Sequence, residues 1–433
     1  MRSSKGHVLL IAYYYPPSFE AGAKRAEGFH RFLAEWGYRS TVITIGPATT
    51  DEAVEEGVVR IQKGGYRQGL AKLAAKRPNA FIRYAGGLYK RLTDIPDGYR
   101  GFFGPACDAA VEIARRDPFS AIVATSSPFT ALHIGAALSK RLAVPWIADL
   151  RDLWTTNHFG YPFGRLRRMV DVTLERRWLN TASRIVTATH GLSTNLKNAG
   201  FVFQGSTIYN GYLNKPTLRP FEAGPFQMKF LGRLYEGFGH TPGPFFEAIC
   251  AIRQNSPDLF AAMKIEFFGY ANQEFWDLSR KLGLEGRVIH RGLISPDEAL
   301  VEASTADLLL VFLPDKESQA VTVPTKLFDY ATTRRPILFV GPQGEGADLV
   351  RTARLGRAFR SNEVAGIAAW IMELAAAKEA GRSELWGDEA QVSRFHYRWR
   401  AQDLAREIDA LGSPGQPGGR SPSQGLSGGT ATT

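Results

Sequence analysis

Two short apolar runs in the last third of the chain constrain its fold more than any other feature. Residues 308–313 and 337–340 are rich in large apolar side chains and are bounded by Pro or Gly, which is typical of strands buried on both faces of a sheet. Between them, Pro324 suits the first turn of a helix, and the apolar residues of 327–330 give that helix one apolar face. The sequence therefore predicts two neighbouring parallel strands joined by a helix, in an α/β fold.

The predicted helix carries two charged residues near its beginning, Lys326 and Asp329. A helix N-terminus at the carboxyl end of a parallel strand is where α/β proteins bind phosphorylated ligands. There Lys326 would add a point charge, and Asp329 would accept hydrogen bonds from two ribose hydroxyls. The alternative is a buried strand-helix-strand unit on which Lys and Asp are merely solvated.

Length and composition limit the class of protein. A chain of 433 residues exceeds what one core usually covers, so we expect two domains. The two cysteines, Cys107 and Cys250, are far apart and lack metal-ligand spacing, which argues against disulfides and zinc and favours a reducing cytoplasm. The first apolar run, of about seven residues, is too short for a signal peptide, and none approaches the ~20 residues of a membrane span. We therefore expect a soluble or peripheral protein.

Strand and helix patterns alternate along the chain, which predicts a doubly wound sheet in each domain. In the first domain we expect strands over residues 7–13, 40–45, 121–125, 183–188 and 206–209. The predicted divisions are a first domain over 1–210, a Pro-containing linker over 211–225, a second domain over 226–390, a last helical segment over 391–411 and a tail over 412–433. The Gly, Ser and Pro content of that tail predicts disorder.

The connection after the first strand lacks the Gly-x-Gly-x-x-Gly fingerprint, so we do not expect a nicotinamide or flavin dinucleotide. A later predicted strand ends in three charges, Asp149, Arg151 and Asp152. Sites gather at the carboxyl edge of such sheets. These charges therefore indicate either a structural ion pair at a strand end or a catalytic group, and both interpretations can hold together.

Four segments resemble the GT-B glycosyltransferases, in particular the large retaining group called family 4. They are Tyr-Tyr-Pro-Pro with the loop that follows it, Asp-Leu-Arg-Asp-Leu-Trp over 149–154, Gly-Arg at 232–233 and Pro-Thr-Lys-Leu-Phe-Asp-Tyr over 324–330. The resemblance implies two Rossmann-like domains that face a cleft, with a C-terminal helix over 389–411 that braces the first domain. It also implies hexosyl transfer from a nucleoside-diphosphate sugar, with retention at the anomeric carbon and with neither a metal ion nor a further cofactor.

Carried onto matching positions, the resemblance implies roles for single residues. Gly22 would let the backbone approach the donor diphosphate, Arg233 would bind that diphosphate, and Asp329 would hold the ribose. Arg151, flanked by Asp149 and Asp152, would lie close to the sugar ring as the catalytic group. Gly269 and Leu293 would frame the base through backbone groups. The remaining donor-binding positions are Gly232, Thr325 and Lys326.

The sequence departs from the family pattern at two positions. Val321 stands where the commoner pattern has a Glu that faces the transferred sugar, and Gly239 stands where a Lys is usual. Because that Lys is absent, we expect Arg233 and Lys326 to share the diphosphate.

The net charge of +11 is concentrated between Arg60 and Arg100, a stretch with ten Lys or Arg, two Asp and several aromatic residues. Such a segment suits an anionic membrane surface, and a solvated helical excursion is the alternative. We therefore expect a cytoplasmic protein, peripheral at the inner face of the membrane, whose acceptor is a lipid-linked or cell-surface glycan.

Three other functions remain open at this stage. A nucleotide-sugar 2-epimerase shares the GT-B architecture but needs no acceptor. A non-catalytic scaffold that binds sugar nucleotides would explain Val321 and Gly239. A nucleic-acid-binding protein would explain the charge, but the sequence has no zinc finger, RNA-recognition signature or helix-turn-helix, so we expect no nucleic-acid partner.

Overall fold

The computed structural model describes residues 4–46, 56–62, 94–234, 242–271 and 273–412. Within these ranges the chain forms two parallel sheets of six strands each, and helices cover both faces. The predicted α/β architecture of two doubly wound domains is therefore confirmed. Gly239, most of the basic segment 60–100 and the tail beyond Gly412 fall outside the described residues, so the predictions for them stay predictions.

The first sheet has the strand order β3-β2-β1-β4-β5-β6. Its strands are β1 (Gly6–Ile11), β2 (Tyr38–Ile45), β3 (Val58–Ile61), β4 (Ala121–Ser126), β5 (Trp146–Leu150) and β6 (Arg184–Thr187). Its helices are α1 (Ala21–Leu33), α2 (Phe103–Arg116), α3 (Thr130–Leu142), α4 (Arg165–Leu179) and α5 (His190–Asn198). Because the strand order reverses between β1 and β4, the carboxyl ends of these two strands form a switch point, the usual position of a binding site in such sheets.

The second sheet repeats the arrangement with the order β12-β11-β10-β7-β8-β9. Its strands are β7 (Phe226–Arg233), β8 (Met263–Tyr270), β9 (Val288–Gly292), β10 (Leu308–Phe312), β11 (Ile337–Val340) and β12 (Gly356–Phe359). The accompanying helices are α6 (Gly243–Asn255), α7 (Pro257–Ala261), α8 (Gln273–Lys281), α9 (Pro296–Ser304), α10 (Lys326–Thr333), α11 (Glu345–Thr352) and α12 (Val364–Glu379). β10 and β11 pair in parallel, as the two apolar runs predict.

The last described range ends in two helices, α13 (Glu389–Arg394) and α14 (Tyr397–Asp409). Apolar residues of α14, including Leu404 and Ile408, pack in one cluster with Phe29 and Leu33 of α1. The Lys5 ammonium lies 2.9 Å from a carboxylate oxygen of Asp409. Helix α14 therefore returns to the first domain, as the GT-B resemblance implies.

The single helix predicted over 389–411 is wrong, because the chain is extended at His396 (φ −64°, ψ 138°). The imidazole of His396 caps α14 by accepting a hydrogen bond from the backbone N–H of Arg398. The carbonyl of Phe395 accepts a hydrogen bond from the backbone N–H of Tyr212 at 3.2 Å. This tie to the interdomain linker interrupts the helix.

Two further predictions about strands and helices need correction. Residues 206–209 form no strand: Thr207 makes only an isolated bridge to Thr187, so β6 is the last strand of the first sheet. Pro324 does not lie in the first turn of α10, which begins two residues later at Lys326. Lys326 and Asp329 nevertheless lie in that first turn, as the sequence predicts.

Candidate active site

Two glycines are the residues before the last in the adjacent strands β7 and β8, at the cleft edge of the second sheet. Gly232 and Gly269 pair in register and have φ values of 143° and 110°, a backbone region that side chains rarely adopt. A Cβ on Gly269 would lie 2.0 Å from the carbonyl oxygen of Gly232, and one on Gly232 would lie 2.5 Å from Nζ of Lys326. Only glycine therefore lets the two strand ends and Lys326 approach so closely.

The Lys326 ammonium forms no ion pair with a carboxylate in the part of the chain that the structure describes. It lies 3.8 Å from the centroid of the Phe230 ring, and no ion pair to a described carboxylate accompanies that contact. Burial lowers the pKa of the Lys326 ammonium to about 7. Thr325, which precedes it, makes no side-chain cap, so the first N–H groups of α10 add positive potential at the same place.

Two other predicted donor-binding residues face α1 of the first domain. A carboxylate oxygen of Asp329 lies 2.7 Å from Nζ of Lys24, and the guanidinium of Arg233 lies 3.6 Å from the Glu20 carboxylate. Glu20 and Lys24 are four residues apart at the beginning of α1, so one helical turn carries both partners. The start of α1 thus lies across the cleft from the predicted donor site, and sequence reasoning missed both Glu20 and Lys24.

The three charges that follow β5 have different environments. Asp149 is fully buried and accepts hydrogen bonds from Nε (2.8 Å) and Nη2 (2.7 Å) of Arg25, which is itself fully buried. Arg25 also donates to the carbonyl of Ile208 at 2.8 Å. Asp149 is therefore a positioning residue that supports β5, and the structural interpretation fits it better than contact with a sugar.

Arg151 and Gly22 lie against each other. A Cβ on Gly22 would lie 2.2 Å from Nη1 of Arg151. The guanidinium of Arg151 donates to the carbonyls of Ser126 (3.0 Å) and Ser127 at the end of β4. Burial lowers the pKa of the Arg151 guanidinium, while Asp152 and Asp149 act in the opposite direction. Gly22 therefore provides room for a guanidinium that is fixed at the switch point, while Asp152 remains half-buried beside it.

His158 is a candidate that the sequence reasoning missed. Both of its ring nitrogens are buried without a hydrogen-bond partner among the described residues. Burial lowers the pKa of the imidazole, and Asp152 opposes that shift. The carbonyl of His158 accepts a hydrogen bond of 3.1 Å from Nε2 of Gln319 in the second domain. A histidine seven residues beyond Arg151 was the only sequence signal available.

A second contact between the domains surrounds Val321. A Cβ on Gly191 would lie 2.3 Å from Cγ1 of Val321, so this position packs against the start of α5. The carboxylate of Glu345 accepts hydrogen bonds from the backbone N–H groups of His190 (2.9 Å) and Gly191 and from the Tyr209 hydroxyl (2.5 Å). Burial and then the Glu345 carboxylate raise the pKa of the Tyr209 hydroxyl. In this structure Val321 therefore serves the domain interface.

The structure brings most of the predicted site residues to one cleft. Gly232, Gly269 and Lys326 are in direct proximity, and Gly22 with Arg151 forms the facing contact. Leu293 is separate: it follows β9, two strands away from β7 in the sheet order, and its side chain is 78% exposed. Among the described residues, no group of three or more His, Cys, Asp and Glu side chains is arranged to hold a metal ion.

Chemically, the cleft can bind an anion and a diol. Lys326, Arg233 and the start of α10 offer positive charge in a partly desolvated place, where electrostatic attraction is stronger than in water. The carboxylate of Asp329 can accept two hydroxyl hydrogen bonds, since it has more acceptor sites than Lys24 uses.

Comparison with known proteins gives a family match for the first domain and a fold likeness for the whole chain. Residues 21–208 match the family model described as a glycosyl transferase 4-like domain. The first domain therefore resembles that family, and the whole chain has the fold of the GT-B proteins. No curated protein sequence matches it at a significant level.

Solved structures of GT-B proteins resemble this chain over nearly its whole length. The HepE protein of Anabaena in complex with UDP and glucose is 17% identical, with a TM-score of 0.61 over 94% of this chain and 100% of that chain. The sucrose-phosphate synthase of Thermosynechococcus elongatus is 13% identical, with a TM-score of 0.60 over 94% and 98%. The lipopolysaccharide outer core galactosyltransferase WaaB is 13% identical, with a TM-score of 0.57 over 94% and 99%. At these identities the likeness concerns the fold.

Proposed function

We propose that this protein is a glycosyltransferase that moves a hexosyl group from a nucleoside-diphosphate sugar to a lipid-linked or cell-surface glycan. The observation that carries the proposal is Lys326, a buried ammonium that has an aromatic ring and a helix N-terminus beside it but no carboxylate partner among the described residues. A lysine ammonium beside a helix N-terminus and without a carboxylate partner suits the binding of a diphosphate, which would arrive as part of the substrate.

In the proposed complex the diphosphate lies between Lys326 and Arg233, and the ribose hydroxyls donate to Asp329. Arg233 is half exposed and only 3.6 Å from Glu20, so its guanidinium can turn to form two hydrogen bonds to phosphate oxygens. Glu20 would then lose its weak partner, whereas Lys24 can keep one oxygen of Asp329.

The reaction breaks the bond between the anomeric carbon and the diphosphate oxygen and forms one to the acceptor oxygen. Negative charge grows on the departing diphosphate, and Lys326 and Arg233 stabilise it. With retention, the acceptor attacks from the side on which the diphosphate leaves, and its hydroxyl proton passes to the departing phosphate oxygen. Retention and independence from metal ions are part of the proposal and rest on the family resemblance.

The acceptor and the location belong to the same proposal. No helix among the described residues is long and apolar enough to cross a membrane. A cytoplasmic enzyme that acts on lipid-linked glycans would therefore meet its acceptor by binding peripherally to the inner face of the membrane.

The test is release of free nucleoside diphosphate from UDP-, GDP-, ADP- and TDP-hexoses, with and without a membrane lipid extract that carries lipid-linked glycans. We expect release with one donor and only with the extract. An Asp329→Ala variant should lose it, while Asp277→Ala, on an exposed residue paired with Arg280, should not. Conversion of the donor sugar without any acceptor would instead establish a 2-epimerase.

One observation favours a second candidate, a scaffold that binds sugar nucleotides without catalysis. Val321 occupies the position of the family's sugar-facing glutamate, and it packs against Gly191 of the first domain. A scaffold would bind one nucleoside diphosphate but release none from any donor in the assay above.

A further inference from the structure

Helix α4 carries an apolar stripe on its outer surface. The side chains of Leu166, Met169 and Val170 are 82%, 67% and 45% exposed. Their spacing of three and four residues places them on one face of the helix. Large apolar side chains that are exposed together on one face indicate an interaction surface.

The exposed charges of α4 are all positive. Its two acidic residues point inward: Asp171 is fully buried and accepts a 2.8 Å hydrogen bond from Arg167, and Glu175 is buried and accepts hydrogen bonds from Thr155. The exposed charged residues of the helix are Arg165, Arg168, Arg176 and Arg177. The sequence composition of α4 alone would therefore understate how basic its outer surface is.

We propose that this face of α4 docks onto an anionic lipid bilayer. We define the α4 surface as Leu166, Met169 and Val170 with the flanking Arg165 and Arg168. Arginines can pair with lipid phosphates while the apolar side chains enter the boundary between headgroups and acyl chains. Each basic residue held near such a surface strengthens binding roughly fivefold.

Other occupants fit the α4 surface less well. A second copy of the chain would bring the same arginines against each other, and like charges across an interface disfavour association. A nucleic acid would match the arginines but would gain nothing from an exposed leucine, methionine and valine. The combination of positive charge and apolar area is specific to a surface that has both anions and hydrocarbon.

The position of α4 in the chain connects the proposed membrane-docking surface with the cleft. The helix follows β5, whose carboxyl end leads directly to Arg151 and Asp152, and residues 153–164 connect these charges to its first turn. Phe159 in that loop is 40% exposed. In the proposed glycosyltransferase, docking through the α4 surface would bring the cleft edge near membrane-embedded acceptors; this last step rests on the proposed function, whereas the docking does not.

The test is cosedimentation of the full chain with vesicles of phosphatidylcholine alone or of phosphatidylcholine with phosphatidylglycerol. We expect binding only to the anionic vesicles. The double variant Arg165→Gln/Arg168→Gln should bind roughly 25-fold more weakly, the product of two fivefold losses. Leu166→Ser/Met169→Ser should also lose binding. The matched control, Arg115→Gln/Arg116→Gln on α2, whose arginines pair with Glu112, should bind like the wild type.

Several outcomes would overturn the proposal. They are equal binding to neutral and anionic vesicles, wild-type binding by both α4 double variants, or loss of oligonucleotide binding in these variants without any vesicle binding. The substituted side chains are exposed, so melting temperatures should stay unchanged. Nucleotide binding, measured without vesicles, reports on the proposed function separately.

Discussion

The affinity for a nucleoside diphosphate should fall steeply with pH above neutrality, because Lys326 must be protonated to bind it. Burial lowers the pKa of this ammonium to about 7 in the free protein. A bound diphosphate favours the charged form and raises the pKa towards the ordinary value of about 10.4. Well below pH 7 Lys326 is protonated in both states, so its contribution to affinity is complete there, and it is lost as pH rises through 7.

The magnitude follows from the protonated fraction of the free protein. This fraction falls from about one half at pH 7 to about one hundredth at pH 9. The dissociation constant should therefore rise about 50-fold over this interval, equivalent to about 2.3 kcal/mol. The terminal phosphate of the ligand titrates near pH 6, so its own ionisation is nearly complete before the interval begins.

Isothermal titration of the preferred nucleoside diphosphate at pH 7, 8 and 9 measures this slope. Lys326→Arg is the matched control, because a guanidinium stays charged throughout and should flatten the slope. Lys326→Met should bind weakly with a flat profile. Equal slopes in the wild type and Lys326→Arg would refute the reasoning that Lys326 titrates beside the diphosphate.

Three further predictions concern stability and geometry. Asp149→Ala leaves the buried guanidinium of Arg25 unpaired and should lower the free energy of unfolding by about 3–5 kcal/mol in urea denaturation; a loss below 1 kcal/mol would contradict a buried ion pair. Gly22→Ala should displace the guanidinium of Arg151 and reduce kcat roughly 10- to 100-fold with a preserved circular dichroism spectrum; an unchanged kcat would remove Arg151 from the site. Gly104 lies in the first turn of α2 immediately before Pro105, and a new Cβ there would meet nothing within 4 Å apart from its chain neighbours, so Gly104→Ala should change the free energy of unfolding by less than about 0.5 kcal/mol in the same denaturation; a larger loss would be the contrary result.

The strands of the two sheets could be predicted from the sequence wherever both of their faces are buried. β10 and β11 are continuous runs of large apolar residues because helices cover both sides of their sheet. β12 could not be predicted, since Gly-Arg-Ala-Phe at a sheet edge is only half-buried and shows no period. The interruption at His396 also escaped prediction, because it depends on a hydrogen bond from distant Tyr212.

Site residues whose position depends on local chain geometry are easier to predict from the sequence than the residues that they contact in the other domain. Gly232 and Lys326 follow from strand ends and a helix start. The partners Glu20 and Lys24 belong to a helix more than 200 residues earlier in the chain, and only the folded domains bring them to Arg233 and Asp329. His158 is recognisable only because its ring nitrogens have no hydrogen-bond partner among the described residues, which is a property of three-dimensional packing. The roles assigned to these residues stay predictions until they are tested.

The central claim is that Arg233, Lys326 and Asp329 form a donor-nucleotide site, and thermal shift with nucleotides tests it most directly. The protein is melted with UDP, GDP, ADP and TDP, together with the variants Arg233→Ala and Asp329→Ala and the control Asp277→Ala. Because a ligand that binds only the folded state raises the melting temperature, one nucleotide should raise that of the wild type and of the control but not of the two site variants. A shift that survives in Arg233→Ala and Asp329→Ala, or no shift with any nucleotide, would contradict the account.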